Sequence, residues 1–386
     1  MKKLSWLLVC SLGLFTSKAH AFDTSLRGFI ALDALNFEKI SGEKASSVMG
    51  IGVLDLKVFA QKDDMGVAIK MDLDGKLDKR YNIFEEAYVT YRGIPDTKLM
   101  LGKGVVRFQN LHWGAVVNSY QDGGTVISTE NSFRKFSRKA FMAASYGSEK
   151  MGFINQVTVW GDSSEINTSS SDGSPETTMS SGKISGYKTS DVTAFDTKKQ
   201  IGFANKLDLF FNKHLKMNLS GIYYKNRLIT RPTYGVDVGL NYESDKMEIW
   251  MDALWGVTSK LPYESFTTYK KYEYFMQLGM EYFLTEKWSV LSNNEYLLVN
   301  DQQYTYDATA SDNFTKVSGN LNRSHTYKIE LAAKYKFHES AFVTLGALYE
   351  NKRTTSNGVK DLDYIRNVYN PNTEAYKLLS SVSFWF

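Results

Sequence analysis

The side chains best suited to chemistry are few and scattered. His112, His214, His325 and His338 follow the N-terminal segment, and none sits in a G-x-S-x-G or H-E-x-x-H pattern. A hydrolase needs a nucleophile within reach of a base. His214 and His338 fall in short polar turns, and Ser324 beside His325 points to the opposite face of an extended strand. The one cysteine, Cys10, lies in the N-terminal segment, so the rest of the chain has no thiolate nucleophile, disulfide or Cys-based metal site. Gly102-Lys103-Gly104 is too short for a phosphate loop, and no acidic cluster has calcium-loop spacing. These residues point away from an enzyme and imply no cofactor and no metal.

The charged residues have an order that the histidines lack. Lys70, Asp72, Glu86, Lys206, Lys328 and Lys334 alternate with apolar residues, as do Lys57, Asp208, Lys216, Asp237, Glu248, Asp252, Glu281, Glu330, Glu350 and Lys377. Alternation puts successive side chains on opposite faces of a strand. Tyr234, Val236, Val238, Leu240 and Tyr242 thus oppose Gly235, Asp237, Gly239 and Asn241. Likewise Tyr327, Ile329, Leu331, Ala333, Tyr335 and Phe337 oppose Lys328, Glu330, Ala332, Lys334 and Lys336. One face is apolar and the other charged, along almost the whole chain.

The elements that carry this pattern are strands of about 9 to 12 residues, matched to a tilted bilayer crossing rather than to a globular sheet. Tyr91, Tyr146, Trp160, Tyr223, Trp255, Tyr282, Trp288, Tyr349 and Tyr376 fall near strand ends, where amphipathic rings suit membrane interfaces. Short links at 62–65, 93–97, 147–150, 211–214, 243–246, 284–287 and 338–340 alternate with long polar stretches at 161–198, 257–271, 299–322 and 351–372. Counting hairpins gives about sixteen strands with both termini on the short-turn side. A sheet can cross hydrocarbon only when closed, and about sixteen strands leave an interior too wide for side chains to fill. The expected fold is an all-β, antiparallel, up-and-down transmembrane barrel with a polar lumen.

Before the barrel, Lys2 and Lys3, the apolar run from Leu4 to Phe15 and Ala19-His20-Ala21 read as a cleaved export signal over residues 1–21, leaving a barrel domain over 22–386. Cleavage removes Lys2, Lys3 and Lys18 from 46 basic residues and leaves 42 acidic ones, so the mature chain is nearly neutral and its pI is no nucleic-acid footprint.

The chain ends on Leu378, Ser380, Val382, Phe384 and Phe386, an alternating strand closed by a C-terminal phenylalanine. This resembles the assembly signal of outer-membrane barrels. The stretch Phe84-Glu85-Glu86-Ala87-Tyr88-Val89, followed by Leu99-Met100-Leu101-Gly102-Lys103, is similar to a segment of Gram-negative outer-membrane porins. The resemblance covers the mature chain as architecture. It implies passive diffusion of small hydrophilic solutes or ions through an outer-membrane channel, assembly by the barrel-assembly machinery, a homotrimer, and contact with outer-membrane lipids and lipopolysaccharide.

The resemblance also implies an inward-folded loop over residues 105–139. Val105, Val106, Phe108, Leu111, Trp113, Val116 and Val117 make this stretch too apolar for a solvated loop. Its candidate constriction residues are Arg107, Trp113, Asp122, Glu130, Arg134 and Arg138. The basic excess, with Lys135 and Lys139, would give a weak anion preference in a narrow passage; alternatively Arg134 to Lys139 stand at the strand mouth, facing lipopolysaccharide phosphates. Trp113, Trp250 or Tyr88 would offer a sugar-stacking surface if they face inward. An outer-membrane hydrolase and a closed structural or adhesin barrel are the rival readings.

Overall fold

The computed structural model describes residues 23–42, 44–73, 84–106, 108, 139–162, 177–180, 183–187, 196–226, 232–260, 267–306, 314–357 and 373–386. The strands are β1 (Asp23–Ile40), β2 (Ser46–Lys62), β3 (Met65–Asp72), β4 (Phe84–Tyr91), β5 (Thr97–Gly104), β6 (Lys139–Ser148), β7 (Phe153–Asp162), β8 (Thr177–Ser180), β9 (Lys183–Tyr187), β10 (Asp196–Phe210), β11 (Leu215–Asn226), β12 (Thr233–Glu243), β13 (Met247–Lys260), β14 (Thr267–Phe283), β15 (Trp288–Tyr306), β16 (Phe314–His338), β17 (Ala341–Asn357) and β18 (Thr373–Trp385). Sixteen of them pair with their sequence neighbours into one closed antiparallel barrel, sealed where β1 meets β18, while β8 and β9 form a separate hairpin.

Alternation sets the two faces as expected. On β12, Val236 and Val238 are exposed on the outside, whereas Gly235, Asp237 and Gly239 are buried within. On β16, Tyr327 and Leu331 face out and Lys328, Glu330 and Ala332 face in. The polar residues on the outer face are partnered there. Asn205 donates to Asn155 at 2.8 Å, Asn294 to Ser292 at 3.3 Å, and Tyr296 meets His325 Nδ1 at 2.7 Å. Such pairing is what a surface in contact with hydrocarbon demands.

Three expectations need correction. Strand lengths in the barrel run from 8 residues in β3, β4 and β5 to 25 in β16, not 9 to 12. The described parts of the stretches 257–271, 299–322 and 351–372 are strand: β13 continues to Lys260, β15 to Tyr306 and β17 to Asn357. An antiparallel ladder satisfies its own backbone groups in water as in lipid, so pairing persists after the apolar alternation that marks a crossing has ended. Finally, Trp160 is not an interface residue. It is fully buried on the inner face, while Tyr91, Tyr146, Tyr223, Tyr282, Trp288 and Tyr376 are exposed outside. The rings of Tyr349 and Tyr376 meet at a tilt with centroids 5.1 Å apart, and those of Trp288 and Tyr335 at 4.7 Å, at opposite rims.

The seam has its own devices. Gly28 and Phe386 exchange two backbone hydrogen bonds, and the Phe386 ring lies over Gly28, occupying the space a Cβ would need. Farther up, β1 pairs Asp33 with Ser381 and Phe37 with Leu378, so β1 bulges by one residue. The buried Asn36 side chain fills the gap, its Oδ1 accepting from the Ser380 amide at 2.8 Å. Asn36→Ala strands that amide and should cost about 1–3 kcal/mol, read as a lower guanidinium midpoint of the refolded protein. Removing Phe386 should lower the yield of folded barrel in the membrane fraction; an undiminished heat-modifiable band would count against a closing role.

Candidate functional site: the barrel lumen

The inner face of each strand supplies the wall. Lys70 reaches Asp55 at 3.0 Å, and Glu86 pairs with Lys57 at 3.3 Å. Lys206 and Lys216 lie 3.9 and 3.5 Å from Asp208. Lys334 contacts Glu281 at 3.2 Å, and Ser289 donates to the same carboxylate at 2.5 Å. Asp72 sits in β3 opposite Asp55. Lys70, Glu86, Lys206, Lys328 and Lys334 therefore each meet a carboxylate or a lysine across or along the ladder, as alternation on neighbouring strands requires.

The most connected group lies on β13 to β16. Lys328 stands 3.6 Å from Glu295 and 4.0 Å from Glu330, all three almost wholly buried. Gln277 and Asn293 donate to Glu295 at 3.4 and 2.7 Å, and Trp250 Nε1 donates to Asn293 at 3.2 Å. The cross-strand register explains the assembly, since Asp252, Gln277, Glu295, Lys328 and Glu350 are successive opposite neighbours along one tier. Sequence reading found Lys328 and Glu330 but missed Gln277, Asn293 and Glu295. On β15 the signal is weak: Leu291, Leu297 and Val299 face inward while Ser292 and Asn294 face outward.

Above this tier runs an apolar belt. Phe141, Trp160, Ala204, Ile222, Leu254, Phe275 and Leu297, from seven strands, face inward and are buried together. Val106 and Phe108, just past the end of β5, pack on this belt with 4% and 2% exposure. The Ser220 hydroxyl, on β11, donates to the Phe108 carbonyl. Along the barrel β11 is four strands from β5, so the chain has left the wall and entered the lumen by Phe108. The aromatics Trp250 and Tyr88 do face inward, but Trp250 is 2% exposed, packed over Gly279 and bonded to Asn293. That leaves it no open ring face for a sugar. Arg107, Trp113, Asp122, Glu130, Arg134 and Arg138 lie outside the described residues.

His325 faces outward against Tyr296, and the buried Ser324 beside it faces inward, so the two do not form a nucleophile–base pair. Removing one partner of a buried ion group is costly because the remaining charges stay desolvated. Lys328→Met should therefore destabilise the barrel by about 3–5 kcal/mol, seen as a lowered denaturation midpoint. A matching loss in Glu350→Gln, a neighbour outside the ion triad, would show that the triad has no special weight.

No family model and no curated sequence matches this chain. Solved structures do. The outer membrane channel DcaP of Acinetobacter baumannii superposes with a TM-score of 0.57 at 16% identity, over 96% of this chain and 99% of that one. An anion-selective porin from Comamonas acidovorans gives 0.53 at 12% identity, over 94% and 100%. OmpT, an outer membrane protein of Vibrio cholerae, gives 0.53 at 11%, over 96% and 99%. At such identities the likeness is one of fold, and it extends over the whole barrel: this chain has the sixteen-stranded fold of the bacterial outer-membrane porins.

Proposed function

We propose that this protein is an outer-membrane porin, a water-filled channel through which small hydrophilic solutes and ions diffuse passively. The observation that carries the reading is the closed sixteen-stranded ring with a charged inner face and an apolar outer one. A barrel this wide cannot fill its interior from its own wall.

The segment 105–139 is the constriction in this reading. Its support is the burial of Val106 and Phe108 against inward-facing residues and the bond from Ser220 to Phe108. Arg107, Arg134 and Arg138 then set a weak anion preference, in line with the anion-selective neighbour from Comamonas acidovorans. The preference stays weak because the inner wall carries Asp237, Asp252, Glu273, Glu281, Glu295 and Glu330.

The assembly is a homotrimer. Strands of 8 residues in β3, β4 and β5 are shorter than the roughly 9–11 a tilted crossing needs, so this wall calls for cover by another copy. Its outer surface is a shallow apolar groove of Val89, Leu99, Leu101, Met142, Ala144 and Val157. A trimer form is described for OmpT of Vibrio cholerae. Outer-membrane lipids and lipopolysaccharide cover the tall wall, and the barrel-assembly machinery reads the final strand ending in Phe384 and Phe386.

Single-channel recording in a planar bilayer under a salt gradient tests the function. Discrete conductance steps with a reversal potential of anionic sign are expected. Silence from well-folded protein would favour a closed barrel. Shortening the segment from Gly104 to Arg138 should raise the conductance about twofold or more, an order-of-magnitude expectation for a widened aqueous constriction; an unchanged step would place the constriction elsewhere.

A further inference from the structure

On the inner face of β11, β12 and β13, four oxygen-bearing side chains meet around a glycine. Asn218, Gly239 and Asp252 are direct opposite neighbours across the three strands, and Ser220 and Asp237 are opposite neighbours one step above. Asn218 and Asp237 are each 1% exposed and Asp252 is 2% exposed. A Cβ placed on Gly239 would stand 2.6 Å from Asn218 Oδ1 and 3.0 Å from Asp252 Oδ1, so both oxygens converge over the same bare stretch of backbone. Among the described residues, neither amide atom of Asn218 meets a hydrogen-bonding partner, and apart from the neighbouring Asp237 carboxyl no donor reaches either oxygen of Asp252.

Two carboxylates buried side by side, with an amide oxygen turned toward them, are an expensive arrangement in the absence of a counter-charge. Lys206 lies opposite Ser220 on β10 and offers one positive charge against two negative ones, but it also lies 3.9 Å from Asp208. A proton shared by the carboxylates would relieve their repulsion and leave the Asn218 oxygen unserved. A hard cation serves all three. It takes only oxygen ligands, tolerates a partial protein shell, and completes its coordination with water from the lumen.

We infer that Asn218, Asp237 and Asp252 form a divalent-cation site of the calcium class in the lumen wall. Gly239 keeps the coordination space open, and the Ser220 hydroxyl, whose proton goes to the Phe108 carbonyl, lies 3.4 Å from Asp237 on the far side. Calcium-loop spacing is absent because the ligands come from three strands and are joined by register, not by sequence. The site lies one residue step from the point where Ser220 holds the Phe108 carbonyl. A bound ion would brace the wall there.

The test is calorimetric titration of the refolded, chelator-treated full-length barrel with calcium chloride, beside Asp252→Asn and Gly239→Ala. Asp252→Asn keeps the shape and removes one charge; Gly239→Ala keeps all charges and fills the coordination space. Folding of each variant is verified by its heat-modifiable band. Wild type should bind one ion more per chain than either variant, or at least tenfold more tightly, and calcium should raise the wild-type melting temperature alone. No binding by wild type, or equal stoichiometry and affinity in all three proteins, overturns the inference and leaves a protonated carboxylate pair. Loss in Asp252→Asn with full binding in Gly239→Ala also overturns it, because the ion would then sit elsewhere.

Discussion

Everything in this barrel depends on the closing pair. A sheet in hydrocarbon has no water to satisfy its edge amides and carbonyls, so its first and last strands must find each other. The chain meets that demand with residues near its two ends. Phe386 exchanges backbone hydrogen bonds with Gly28 and lays its ring over it, a contact available only because position 28 has no side chain. The bulge farther up leaves one amide without a carbonyl, and Asn36 supplies the missing acceptor from its side chain. The seam is thus satisfied by two local solutions rather than by a perfect ladder.

Closure fixes how many strands surround the lumen, but not their height. Short strands β3 to β5 stand across the barrel from tall strands β14 to β17, of 17 to 25 residues. Charged outward residues respect that height. Lys39, Arg323 and Arg353 are exposed on the outer face only toward the long-loop rim, beyond Tyr327, Tyr349 and Tyr376. A basic side chain at mid-membrane depth would cost about 2–4 kcal/mol and far less near an interface. Within the apolar band, the polar residues that do face out, such as Asn205 with Asn155, bond to each other.

How legible this was in the sequence varies strand by strand, for a physical reason. On β12 one face touches lipid and the other is Gly and Asp, so period two is unbroken and both faces follow from the sequence. On β15 the inner face joins the apolar belt, so hydrophobicity no longer separates inside from outside and Glu295 and Asn293 went unnoticed. Trp160 misled for the same reason: an aromatic near a strand end suits either an interface or a lumenal belt, and only its neighbours Phe141 and Gly202 decide. Short turns marked the closed rim well because each has two to five polar residues. Long connections were overestimated, since strands above the membrane no longer need to alternate.

The register also decides which charges act together. Glu295 and Lys328 are remote in sequence and adjacent in one tier, so their energies are coupled through shared burial rather than through chain proximity. Each added strand places one more inward residue in that tier, and most of those additions on β13 to β17 are acidic or amide. Lys328 is the one cation inserted among Gln277, Glu295 and Glu350, and it lies 2% exposed. A lysine is otherwise rarely tolerated at such burial; here Glu295 and Glu330 stand within ion-pairing distance of it. The acidic wall and its embedded lysine therefore require one another, and a lumen built by alternation alone acquires a fixed pattern of charge from the stagger of its strands.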